Sequence, residues 1–167
     1  MRLLAAIMFI LGIARINAIA QEDKFKAIFV YKFLQTIQWP AGKPIDKYLV
    51  GIVGSGAMKG ELATLAATKK VQSKDIVVEA YNAQKANLYH ITYETKDASQ
   101  ETEKLSQESV KNGSVLITES PGLSSKGSFL NMIVSGGKIK FEMSRQRFAD
   151  AKIKASKELE VLAVMVD

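Results

Sequence analysis

Short apolar runs rich in β-branched residues, set between helical and polar stretches, constrain the fold of this chain more than any other feature of its sequence. Tyr48 to Val53 (YLVGIV) and Ser114 to Thr118 (SVLIT) carry apolar residues on both faces, the pattern of strands buried on both sides. Ile76 to Ala80 and Leu88 to Tyr93 also read as strands, joined by a polar connection through Asn82 and Gln84. Ahead of them, apolar residues at 25, 28, 29, 33, 34 and 37 recur at helical spacing, which predicts an amphipathic helix from Glu22 to Gln38. It stops at Trp39-Pro40, because proline disfavours helical geometry in the residue before it. The turn Gly54-Ser55-Gly56 leads into a second helix near Met58 to Thr68, and residues 97–111, with only Leu105 and Val110 inward, form a peripheral helix ended by Gly113. Phe129 to Val134 and Lys138 to Met143 flank the loop Ser135-Gly136-Gly137, as antiparallel strands do. Arg145 to Met165 completes the chain as a helix with a break near Ala155-Ser156 and Leu159, Leu162 and Ala163 inward. This order predicts an α/β fold of three layers: a mostly parallel sheet flanked by helices, with a C-terminal antiparallel hairpin at one edge and a closing helix.

The first twenty residues stand apart from that pattern. Arg2, the apolar run from Leu3 to Ala14 and the small-residue site Ala18-Ile19-Ala20 read as a secretory signal peptide cleaved before Gln21. The run is about a dozen residues long, whereas a membrane-spanning helix needs roughly twenty. Residues 21–167 are then one domain of ordinary size in the periplasm, with no membrane span of its own. Arg2 and Arg15 leave with the signal, so the net charge falls from +6 to +4. The remaining basic residues are dispersed and no arginine-rich stretch is interleaved with aromatics, so nucleic acid is not an expected partner. An exported domain is free to form disulfides, yet this chain has no cysteine, which excludes thiol chemistry and thiolate ligation.

The search for catalytic groups yields no set. Gly54, Ser55 and Gly56 follow a strand and open a helix, where backbone amides favour anions, but GSGAMKG is GxGxxxG rather than the dinucleotide fingerprint. A tight strand-to-helix turn is the favoured explanation, and a small-ligand turn is the functional alternative. His90, the one histidine, is a candidate base, ligand or buried structural group. No serine sits in a GxSxG elbow, and the paired carboxylates Glu101 with Glu103 and Glu158 with Glu160 belong to solvated helix faces. Asn112-Gly113-Ser114 reads as a turn. Trp39 is either a plug against the first helix or part of a partner surface. The expectation is a non-enzymatic protein with no cofactor and no metal.

Several stretches resemble the YfiR family of periplasmic proteins, which repress membrane-bound diguanylate cyclases or serve as sensor modules. They are KFKAIFVYKFLQTIQWP, YLVGIVG, the strand with His90, SVLIT, and above all KGSFLNMIVSGGKIKFEMS followed by RFADAKIKASKELEVLA. In the last pair Gly127, Phe129, Gly136, Gly137, Phe141, Glu142, Ser156, Leu159, Leu162 and Ala163 occupy the pattern positions. The chain departs from it at Ser144, where the family usually has asparagine, at Lys152, where it has glycine, and at Tyr89, where many members have cysteine. Any redox control through a family disulfide is therefore absent. The resemblance implies a partner surface near the hairpin and closing helix, with Glu142, Arg145, Phe148 and Lys154 as its candidates. It implies an inner-membrane signalling partner, a diguanylate cyclase or histidine kinase, and allows a homodimer. The alternatives are a stand-alone ligand-binding module using the turn after Val53, and a hydrolase using His90.

Overall fold

The computed structural model describes residues 21–166, so the signal-peptide reading of residues 1–20 lies outside the described residues. Helix α1 occupies residues 21–36 and β1 is Ile37–Gln38. Then follow β2 (Tyr48–Val53), α2 (Met58–Ala66), β3 (Ile76–Ala80), a 3-10 turn (Ala83–Leu88), β4 (Ile91–Glu94), α3 (Thr102–Asn112) and β5 (Val115–Thr118). The chain closes with β6 (Leu130–Ser135), β7 (Lys138–Met143), α4 (Arg145–Asp150), β8 (Lys154–Ala155), α5 (Lys157–Leu162) and β9 (Val164–Met165).

Seven strands form one sheet in the order β3-β2-β4-β5-β6-β7-β9, parallel from β3 to β6 and antiparallel only where β6 meets β7. The expected fold class holds. The hairpin does not end the sheet, because β9 pairs parallel to β7 through two residues and lies outside it. β1 and β8 make a separate antiparallel pair, Ile37 opposite Ala155 and Gln38 opposite Lys154.

Register assigns the two faces. Val50, Ile91 and Val115 lie side by side, as do Ile52, Tyr93, Ile117 and Leu130. This apolar face is covered by α1 and α2: Phe33 of α1 meets Phe141 of β7 edge-on at 5.2 Å, and Tyr31 reaches the Lys70 carbonyl beyond α2. The opposite face carries polar side chains and is covered by α3 and the 3-10 turns. There Thr102 donates to Glu94, Thr118 to Asn131, and Ser106 to the Gly127 carbonyl, so these three buried hydroxyls find their acceptors within the layer.

The closing segment is not one helix. It divides into α4, β8, α5 and β9, because Lys152 adopts a left-handed φ of 58° and turns the chain back after α4. The strand expected over Leu88 to Tyr93 is confined to Ile91–Glu94, its first residues belonging to the 3-10 turn and its exit.

Candidate functional site

The sheet order places a topological switch between β2 and β4. From β2 the chain passes through α2 to β3 on one side, and from β4 it passes through α3 to β5 on the other. Open α/β sheets leave a crevice outside the carboxyl ends of their strands at such a point. Here it is a cleft of about 740 Å³, bounded by the turn after β2, the end of β4, Glu119 after β5 and the first residues of α1.

The turn is built for its position. Gly54 has φ 97°, and a Cβ on it would lie 2.0 Å from Thr95 Oγ1, so only glycine lets β2 pass this close to β4. Ser55 donates both its amide (2.9 Å) and its hydroxyl (2.7 Å) to Asp97, which also accepts from Thr95. These hydrogen bonds hold the Asp97 carboxyl down at about 2. The carboxylate of Asp97 thus occupies the amide that an anionic ligand of this turn would use. Gly56 lines the same cleft.

Opposite the turn, Lys26 is buried among carboxylates, 2.6 Å from Glu22, 3.8 Å from Asp23 and 2.7 Å from Glu119. Burial lowers the Lys26 pKa, but hydrogen bonds to Glu119 and Glu22 outweigh it and leave the ammonium above its ordinary range. Burial raises Asp23 against the pull of Lys26. Glu119 also accepts from the Tyr93 hydroxyl at 2.8 Å and the Lys96 amide at 2.9 Å. Sequence reasoning missed this network. The available signal was the carboxylate that directly follows the apolar run SVLIT, at the carboxyl end of a parallel strand.

Three of the four candidate partner residues meet at a second cleft. Arg145, Phe148 and Lys154 line a groove of about 610 Å³ between α4, β8 and α5. Its floor is Met143, Phe148 and Ile153, and its rim carries Arg145, Lys152, Lys154 and Lys157, with Glu160 at 3.6 Å from Arg145. Phe148 belongs to the core, 3% exposed and packed on Phe129 at 5.7 Å. Glu142 stands apart on the polar face of the sheet, accepting from Asn131 at 2.8 Å and from the Ser124 hydroxyl.

His90 is buried beside Trp39 and Tyr48, with ring centroids 5.0 and 4.9 Å away. Its Nδ1 accepts the Leu49 amide at 3.2 Å, and burial, with the positive charge of Lys43, pushes its pKa down to about 4. Trp39 is half-buried against the core. Tyr89, in the place of the family cysteine, is fully buried and donates to Glu79 at 2.8 Å. Among the described residues, no group of His, Asp or Glu is arranged to hold a metal, and no helix is long and apolar enough to cross a membrane.

A family model described as YfiR/HmsC-like matches residues 23–164. No curated protein matches the chain. Among solved structures, the crystal structure of a conserved domain protein from Vibrio cholerae O1 biovar El Tor superposes with a TM-score of 0.62 at 8% identity. The alignment covers 87% of this chain and 60% of that one, and at this identity the likeness is one of fold.

Proposed function

Because the chain belongs to the YfiR/HmsC-like family, we propose that it is a periplasmic, non-enzymatic regulator that binds the periplasmic part of a membrane-anchored signalling protein and represses a diguanylate cyclase. The observation that carries this reading is the groove between α4, β8 and α5, with its apolar floor and its rim of Arg145, Lys152, Lys154 and Lys157. On the same α5, Val161 is 83% and Leu162 71% exposed, an apolar surface that water disfavours and a partner would cover. A partner segment with apolar residues and acidic flanks matches this groove in both shape and charge.

The mechanism is one of differential affinity. A regulator that binds one conformation of its partner more tightly than another shifts the partner's population toward it, and the transmembrane step is then the partner's own. Rim charges act mainly on association rate and register. The test is cross-linked capture from envelope fractions, read together with cellular cyclic-di-GMP. The wild type is expected to recover an inner-membrane cyclase, and Arg145→Glu with Lys154→Glu to lose it by at least about tenfold and raise cyclic-di-GMP. Recovery of no inner-membrane signalling protein by the wild type refutes the proposal.

The switch-point cleft favours a second reading, a stand-alone small-ligand sensor. A ligand at 100 times its dissociation constant adds about 2.7 kcal/mol of stability. A metabolite panel scored by thermal unfolding separates that reading from partner binding.

A further inference from the structure

A third cavity belongs to neither reading. It measures about 440 Å³ and lies where the loop after β1 meets the ends of α3 and α4, among Pro40, Lys43, Pro44, Lys111 and Lys152. Lys43 lines it and is 9% exposed. Its ammonium carries three protons, and it makes one hydrogen bond, from Nζ to the Asn112 carbonyl at 3.0 Å. No carboxylate among the described residues pairs with it, and burial pulls its pKa down to about 8. The carbonyl end of a helix attracts a cation, but an exposed lysine meets that need at small cost, as Lys111 does in the last turn of α3. Burying a second ammonium behind it removes water whose solvation the half-charge of a helix end does not replace. The remaining N–H donors of Lys43 have no acceptor among the described residues, beside a cavity with room for one.

The lining narrows what that acceptor is. Lys111 and Lys152 are exposed, and neither forms an ion pair among the described residues. Asp150, the one carboxylate of the lining, is already engaged by Gln146 at 2.7 Å and by Arg147 at 3.9 Å. Three lysines from three separate elements therefore line the cavity against a single carboxylate that is held elsewhere. A monocarboxylate leaves most of that charge unmet, whereas a phosphate dianion presents oxygens in several directions and accepts charge-assisted hydrogen bonds from lysines. The cavity is larger than a phosphate alone fills, and Pro40, Pro44 and Val110 add an apolar wall.

We infer that this cavity is a binding site for a phosphate group, free or on a small ester, whose oxygens accept from Lys43 and whose charge is met also by Lys111 and Lys152. Only Lys152 is shared with the partner groove, so the two sites stand or fall separately. The test is an NMR titration of the purified protein with inorganic phosphate, glycerol phosphate and succinate at constant ionic strength, which holds general screening fixed. Both phosphates are expected to shift the Lys43 Cε signal and the Gly42 and Gly113 amides saturably, with a dissociation constant below about 1 mM. Tighter binding of the ester assigns the apolar wall to an organic substituent; otherwise the ligand is free phosphate. Lys43→Met, which keeps the stem and removes the charge, and Lys111→Glu are each expected to weaken binding at least about tenfold. Lys69→Glu, outside the cavity, is expected to bind like the wild type. If Lys43→Met does not fold, Lys111→Glu decides. The inference is overturned if neither phosphate gives a saturable shift, if succinate produces the same shifts at the same concentrations, or if Lys111→Glu binds no more weakly than Lys69→Glu.

Discussion

Lys152 shows how a single backbone position is solved in two ways within one chain. After α3, Gly113 takes φ 59°, with its amide on the Val110 carbonyl and the Ser114 amide on Ser109. After α4, Lys152 takes φ 58°, with its amide on Ala149 and the Ile153 amide on Phe148. Both are the left-handed helix stop that closes the last carbonyls, and glycine is the residue that meets its geometry without strain. Lysine pays for its Cβ there, and its side chain is exposed, so it recovers little. Lys152→Gly is therefore expected to raise stability by about 0.5–1 kcal/mol, after allowance for the added freedom of the unfolded glycine, as read from the urea midpoint at unchanged slope. His90 carries a prediction of its own. Its folded pKa of about 4 lies below the unfolded value of 6.5, so the unfolded chain binds the extra proton between them. The stabilisation is complete above pH 6.5 and is lost as pH falls toward 4, by roughly 3 kcal/mol. Denaturation curves across that range are expected to show the loss in the wild type and a flatter profile in His90→Asn.

At the level of elements, the hold of α1 on the sheet depends on more than its aromatic face. Lys26 meets Glu119 at 2.7 Å, both side chains being at most 10% exposed. Glu119→Ala is expected to cost about 2 kcal/mol, below the usual figure for a broken buried pair because Glu22 and Asp23 still face the ammonium. The pairing is tested by a double-mutant cycle with Lys26→Met, in which the two losses should fail to add. The sequence revealed the elements with strong periodicity or uniform burial: β2, β3, β5, β6 and β7 lie within a residue or two of their apolar runs, and α1 and α2 follow their spacing, whereas α3 starts only at Thr102, after a 3-10 turn at Lys96–Ala98, and buries Thr102, Ser106 and Ser109 beside Leu105. It concealed β1, β8 and β9, since two residues carry no period. It also concealed the stop after α4, because the residue that turns the chain there is a lysine rather than a glycine. The site was legible in part for the same reason. Arg145, Phe148 and Lys154 were near one another in a recognisable segment, whereas Lys26 and Glu119 meet only because α1 crosses the far end of β5. The setting of His90 depends on an amide from β2, which no local pattern announces.

On the scale of the whole molecule, the parallel core is enclosed by its two ends. β4 and β5 lie inside the sheet, flanked by β2 and β6 and covered on both faces, while α1 and the closing segment meet at the β1–β8 pair. The groove proposed for the partner is walled by β8 itself, so it is connected through Ile37 and Gln38 to the end of α1 and to Trp39, which leans on His90. That short pair also joins residues 118 positions apart. Contacts so distant along the chain form late, because the intervening loop must first be closed. A chain synthesised from its N-terminus delivers α1 long before Ala155 arrives. Through that interval the inner face of α1 has no C-terminal lock, and it gains one only when β8 docks on β1.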